Sequence, residues 1–207
     1  MKASETLVLK SELVFDEAAH RYYLDGTPVP NVTRVLEAAG LTNYHFLGAL
    51  REEHLARGRA VHEATHRDDN HDLAEESVSA EILGFVEAWR RFRRDFGFVP
   101  RLVEHKVYNP QFKYAGRIDR VGSVRDGGEF IVDIKTGVAP AAVAIQLSAY
   151  SACLPRPRTR LRRCVELHAD ATYKVIPYQM SDYQRDFNEF LAALETYKAK
   201  EEEKCRR

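Results

Sequence analysis

The chain reads as an α/β protein with a mixed central β-sheet flanked by helices. Two observations predict this. From Leu102 onward, strand-like and helical stretches alternate in the order strand, strand, strand, helix, strand, strand, helix. At 207 residues the chain is long enough for one well-cored domain, and no repeat, low-complexity linker or composition break divides it. A single domain is expected over 1–207, with 1–43 as an N-terminal strand and helix extension packed on a core at 44–200.

Composition narrows the partners. Lys+Arg and Asp+Glu are both 31, so the net charge is zero and any attraction for a polyanion must be local. No apolar run approaches ~20 residues and the N-terminus lacks a signal-peptide pattern, so a soluble, cytoplasmic chain without membrane contact is expected. Three cysteines (Cys153, Cys164, Cys205) suggest no disulfide framework.

Residues 5–30 read as short strands, with Val14-Phe15 and Tyr22-Tyr23-Leu24 around a polar turn and Asp25-Gly26 as another turn before Val29. Asn31 then caps a helix that stops near Gly40. From Tyr44 to His66 the pattern is helical, and Ala60 and Ala64, small at i and i+4, would let that helix approach a sheet closely. His62-Glu63-Ala-Thr-His66 within it satisfies H-E-x-x-H, the zinc-protease pattern. Its metzincin extension fails, because Asp69 and Asp72 stand where a glycine and a third histidine belong.

The acidic stretch 68–76 reads as a solvated loop, followed by a helix over Ser77–Phe96 with Ile82, Phe85, Val86, Trp89 and Phe92 inward. Arg90, Arg91, Arg93 and Arg94 are either a solvated helix end or phosphate contacts. After a turn ended by Pro100, Leu102–Tyr108 alternates as a strand containing Glu104. Gly116, lacking a side chain, could admit backbone or DNA closely.

A hairpin comes next, turning at Asp126-Gly127-Gly128. Residues two apart on a strand share a face, so Asp133 and Lys135 project together while Ile134 faces the core. A turn centred near Asp126 sets Asp119 roughly opposite Asp133. Two close carboxylates repel unless a cation lies between them, and oxygen ligands suit Mg²⁺ or Mn²⁺. A plain cross-strand ion pair with Lys135 is the alternative.

Gln146 and Tyr150, at i and i+4, share a face of the helix that starts after Pro140. Beyond it, Arg156, Arg158, Arg160, Arg162 and Arg163 form the most basic stretch, read as a loop beside the site that tracks phosphates. Cys164–His168 and Thr172–Pro177 form a second hairpin. A last helix starts at Ser181 as N-cap, with Tyr183, Phe187, Phe190, Leu191 and Leu194 inward and a frayed end from Lys198.

Together, Gly116-x-x-Asp119, Asp133-x-Lys135 and Gln146-x-x-x-Tyr150 resemble the PD-(D/E)XK nuclease superfamily, closest to its RecB-type and phage exonuclease domains, over residues 55–200. The resemblance implies a restriction-endonuclease-like core and a Mg²⁺- or Mn²⁺-dependent deoxyribonuclease. It also implies an exonuclease of phage, repair or recombination DNA processing that leaves 5′-phosphates. Gly58-x-x-x-His62 resembles an element whose histidine completes the metal shell. By the resemblance, His62, Asp119, Asp133 and the carbonyl of Ile134 hold metal, and Lys135 positions water. Glu104 sits at or just behind the metal, and Gln146, Tyr150, Arg117, Arg156 and Arg158 hold the substrate. Some RecB-type relatives bind an iron–sulfur cluster through four cysteines; three cannot supply that set, so no cluster is expected. DNA is the expected partner, with a single-strand-binding or recombination protein as a further one and oligomeric state open. Three alternatives stand beside this reading: a structure-specific endonuclease, a non-cutting DNA-binding module and the H-E-x-x-H zinc metalloprotease.

Overall fold

The computed structural model describes residues 12–17, 19, 21–42 and 51–206. Residues 5–11 of the expected N-terminal strands and 44–50 of the expected helix lie outside them. β1 (Leu13–Asp16), β2 (Arg21–Leu24) and β3 (Thr27–Val29) form a three-stranded antiparallel sheet. α1 (Val32–Ala38) follows, capped by Asn31, whose side chain accepts the amides of Thr33 and Arg34. Its Val32, Val35 and Leu36 are fully buried in one cluster with Tyr150, Phe190 and Leu194, so this helix belongs to the main core.

The main sheet has five strands in the order β4 (Val99–Asn109), β5 (Tyr114–Ser123), β6 (Glu129–Lys135), β7 (Leu161–Leu167), β8 (Tyr173–Tyr178). Only the β6–β7 pair is parallel, so the sheet is mixed as expected. The parallel pair is joined by α4 (Val143–Ser151), the crossover such a pair requires. Helices α2 (Arg51–Asp69) and α3 (Ala80–Phe96) cover one side, where Val61, Trp89 and Phe92 pack with Val132, Ile134 and Val165. Helices α4 and α5 (Tyr183–Arg206) share the other cluster, with Ile131, Leu147, Cys164 and Phe190. No helix among the described residues is long and apolar enough to cross a membrane.

Several local expectations are corrected. Pro100 lies inside β4 rather than ending a turn, as an edge strand tolerates, and a bulge follows it before Leu102. Ala60 is exposed, and α2 packs through Val61, Ala64 and Thr65. β7 starts at Leu161, so Arg162 and Arg163 are strand residues and not loop. Ser181 lies in a 3-10 turn (Met180–Asp182) ahead of α5, and α5 stays helical to Arg206, with Lys204–Glu201 and Arg206–Glu202 pairs in its last turns.

The acidic loop and the arginine group of α3 also change meaning. Asp68 and Asp69 end α2, and the Asp69 side chain is fully buried. Arg90 donates to Asp68, Glu75 and Glu87, and Arg93 pairs with Asp68 and Asp69. Arg91 pairs with Asp95 on the surface. Two of the four arginines, Arg90 and Arg93, therefore tie α3 to its surroundings, and Arg91 is paired within the helix, leaving little of the group for phosphates.

Candidate active site

The β5–β6 ladder ends at the pair Arg120–Val132. One step further stand Asp119 and Asp133, as the turn centred on Asp126 requires. There the ladder is replaced by a side chain: Asp119 Oδ2 accepts the amide of Ile134 at 2.7 Å. On the other neighbour of β5, Glu104 lies between the pairs Val103–Arg120 and His105–Ile118, level with Asp119. Its φ of +45° is unusual for a residue with a side chain, and it falls at the site. Three adjacent strands thus bring three carboxylates to one level.

α2 closes the group from above. His62 Nε2 lies 3.1 Å from the Ile134 carbonyl and 3.9 Å from Asp119 Oδ2, while Nδ1 lies 3.3 Å from Glu104 Oε1. Among the described residues, His62, Glu104 and Asp119 are the set whose ligand atoms converge, all within 4.8 Å of one another. Asp133 is 1 % exposed; its Oδ2 is 2.6 Å from Lys135 Nζ, and its buried Oδ1 has no hydrogen-bond partner among the described residues.

The electrostatics follow from this crowding. Burial raises the Asp119 carboxyl to about 6, with Asp133 and Glu104 adding to the rise against the pull of His62. His62 is also raised: burial alone would lower it, and Asp119 and Glu104 outweigh that. Burial would raise Glu104 too, but His62, Arg120 and Arg117 bring it down to about 2. The cluster thus holds protons that a cation would displace.

The donor set fits a hard divalent ion. It offers carboxylate and carbonyl oxygens, one imidazole nitrogen and an orphaned buried carboxylate oxygen. His62 Nε2 is the nitrogen aimed at Asp119 and Ile134, and Nδ1 points back at Glu104, as a ligating histidine held by a carboxylate does.

Arg120 was not singled out in the sequence, yet it underpins the site. Its side chain is fully buried. Nε donates to Asp69 at 2.5 Å, Nη1 to Glu104 at 2.9 Å and to the Asp119 carbonyl at 2.7 Å, and Nη2 to Thr65 at 3.1 Å. One guanidinium therefore locks the Glu104 carboxylate to α2, one turn beyond His62. In the sequence it stands in Ile118-Asp-Arg-Val121, where the neighbouring Asp119 already accounts for its charge, so nothing local marked it as buried.

The substrate candidates separate. Arg117, half-exposed, lies 3.1 Å from Glu104 Oε2 at the edge of the cluster. Gln146 donates to the Tyr150 hydroxyl at 3.1 Å. Tyr150 is buried against Gly116, where an added Cβ would come within 2.4 Å of its ring, so the glycine admits a tyrosine rather than DNA. Arg156 and Arg158 stand apart from the carboxylate cluster, for a topological reason. The crossover through α4 must return to the start of β6 before β7 can run parallel to it, as the pair Phe130–Leu161 shows. Their loop sits near Glu129, about 13 Å along the strand from Asp133. There Arg160 pairs with Glu129, Arg162 with buried Asp186, and Arg158 lies over Tyr183.

The H-E-x-x-H pattern does not converge. Glu63 is exposed and paired with Arg67 at 2.7 Å, and His66 is absent from the convergent set. Of the two cysteines whose side chains are described, Cys164 is buried 4.0 Å from Asp133 Oδ2 and Cys153 is partly buried.

A family model of the PD-(D/E)XK nuclease superfamily matches residues 34–207. The crystal structure of an alkaline exonuclease (LHK-Exo) from Laribacter hongkongensis is similar over 85 % of this chain and 92 % of that one, at 17 % identity and a TM-score of 0.31. LHK-Exo in complex with dAMP is similar over 86 % and 93 %, at 16 % identity and 0.31. No curated protein matches the chain.

Proposed function

The chain belongs to the PD-(D/E)XK nuclease superfamily, and from that premise we propose that it is a metal-dependent deoxyribonuclease of exonuclease type. The observation that carries the reading is the convergence of His62, Glu104 and Asp119 beside an Asp133–Lys135 pair with an orphaned carboxylate oxygen. The zinc-protease alternative uses Glu63 and His66, which stand apart from this group.

Mg²⁺ or Mn²⁺ held by His62, Asp119, Asp133 and the Ile134 carbonyl would supply Lewis acidity at the scissile phosphoryl oxygen. Glu104 orients His62 through Nδ1, and Arg120 holds Glu104 in turn. Lys135, aimed by Asp133, holds the attacking water and offsets negative charge growing on the phosphate. Water oxygen bonds to phosphorus as the bond to the 3′ oxygen breaks, leaving the phosphate on the 5′ end. Arg117 binds a neighbouring phosphate. Gln146, steadied by Tyr150, supports the strand. The combined motifs resemble RecB-type and phage exonuclease domains, which favours an exonuclease over a structure-specific endonuclease in phage or repair DNA processing.

The test is cleavage of end-labelled linear DNA, single- and double-stranded, against a closed circle, with Mg²⁺, Mn²⁺, Zn²⁺ or EDTA and Lys135→Ala as control. Metal-dependent loss of linear DNA only, absent in the variant, is expected. Cutting of the circle would move the assignment to an endonuclease. No cutting in any metal would reduce the chain to a binding module.

A further inference from the structure

We propose that residues 136–140, between β6 and α4, form a fixed lip that contacts the DNA strand through Val138, with Glu166 as the positioning residue that holds it. This rests on the nuclease reading and adds two residues to it.

Val138 is 91 % exposed, the most exposed large apolar side chain among the described residues. A single apolar residue on a surface is ordinary. What distinguishes this one is where it stands and how firmly it is held. It follows Lys135 by three residues, so its Cα lies within about 11 Å of the Lys135 Cα. Gly137 before it has φ +127°, a conformation that residues with side chains rarely adopt. Pro140 restricts Ala139 to extended backbone.

The clamp comes from the sheet. Glu166 is buried on β7 in register with Lys135, and its Oε1 accepts the Ala139 amide at 2.7 Å. Its Oε2 lies 3.5 Å from Lys174 of β8. A buried carboxylate is costly unless its oxygens are satisfied, and here the loop amide is one of its partners. On the helix side, a Cβ on Gly58 would stand 3.8 Å from Thr136 Oγ1, in ordinary contact, so the lip runs between the Lys135 strand and the turn of α2 that precedes His62. A strand whose scissile phosphate sits at Lys135 carries a neighbouring sugar and base past Val138. Apolar contact with a deoxyribose or a base face tolerates any sequence, as a processing nuclease requires.

The experiment compares wild type, Val138→Asp, Glu166→Ala and Glu166→Gln. It measures steady-state cleavage of linear DNA, affinity for an end-labelled oligonucleotide, Tm, and the Tm shift produced by Mn²⁺. Val138→Asp is expected to raise KM at least about tenfold, from the lost apolar contact and a new carboxylate facing the phosphates, with kcat and the Mn²⁺ shift nearly unchanged. Glu166→Ala is expected to raise KM similarly, and Glu166→Gln, which keeps an acceptor for Ala139, to restore it. An unchanged KM in Val138→Asp overturns the lip. A Tm loss in Glu166→Ala without a KM change in the folded fraction overturns the positioning role. Wild-type protein that binds DNA without cutting refutes the nuclease reading alone, and the same variants then decide the lip by affinity. Neither binding nor cutting overturns both.

Discussion

Gly116 and Tyr150 occupy one packing position. The ring of Tyr150 fills the space a side chain on residue 116 would take, with Cε1 2.4 Å from the site of a Cβ. The strand that carries Asp119 is thereby seated directly on the helix that carries Gln146. Burial raises the Tyr150 phenol, and the charges of Asp119 and Asp133 are close enough to raise it further. Two motifs that look separate in the sequence are halves of one contact.

Gly116→Ala should therefore cost about 1–3 kcal/mol through overpacking. It should cost clearly less when added to Tyr150→Leu, which removes the clashing ring atoms. Denaturant unfolding of the two single variants and the double variant measures the coupling. Additive costs would show that the contact is not what excludes a side chain at 116.

Asp133→Asn should lower cleavage at least about 10²–10³-fold, the scale for losing one group that stabilises developing charge. Metal-free stability should change little, because the ion pair lost between Oδ2 and Lys135 is offset by relief of the repulsion between the buried Asp133 and Asp119 carboxylates. Cleavage assays and thermal melts on one preparation test this. Unfolding of the variant with activity kept in its soluble fraction would sink the assignment.

Stability without metal should fall as the pH rises from the ordinary carboxylate range through neutral. Asp119 sits at about 6, above its ordinary value, so its contribution is complete in acid and is lost as pH rises through about 6. His62 is raised and acts in the same direction. Glu104, lowered to about 2, contributes above its ordinary value and loses this contribution as pH falls toward 2. The metal-free protein should be most stable in weak acid. The Tm gain from Mg²⁺ or Mn²⁺ should grow from pH 5 to pH 8, because binding needs both groups deprotonated. Calorimetry across that range is the check; a gain that shrinks with pH would contradict it.

Arg120→Met should be among the most damaging single changes, on the order of 3–5 kcal/mol, because it takes a buried cationic partner from both Asp69, which keeps only Arg93, and Glu104. Arg120→Met with Asp69→Asn should recover part of the loss, read from chemical denaturation. Metal affinity should stay weak in the double variant, since Glu104 has lost its anchor.

Glu63→Ala should leave both cleavage and stability within about 0.5 kcal/mol of wild type, as exposed pairs usually do. In a zinc protease the same change would remove the general base. Peptidase activity lost in this variant would reverse the functional assignment.

Much of this was legible locally. The Asp126-Gly127-Gly128 turn determines which residues of its two strands meet, so the pairing of Asp119 with Asp133 could be counted from the sequence. The period of two put Lys135 with Asp133, and the helical period put Gln146 with Tyr150. Asn31, Pro140 and the apolar runs marked most of the elements by their own backbone and burial preferences.

Tertiary structure alone decided the rest, because it depends on which distant surfaces meet. The sequence places Arg156 and Arg158 after the site helix; the crossover carries them to the opposite end of β6. Asp69 reads as part of a solvated acidic run, yet it lies buried against Arg120, a residue 51 positions away. Gly116 reads as room for a ligand until Tyr150 is seen to fill it. Local chemistry sets strand, turn and helix within a few residues. Whether a charge faces water, a partner or a substrate is settled only when the elements pack and the dielectric around it is set.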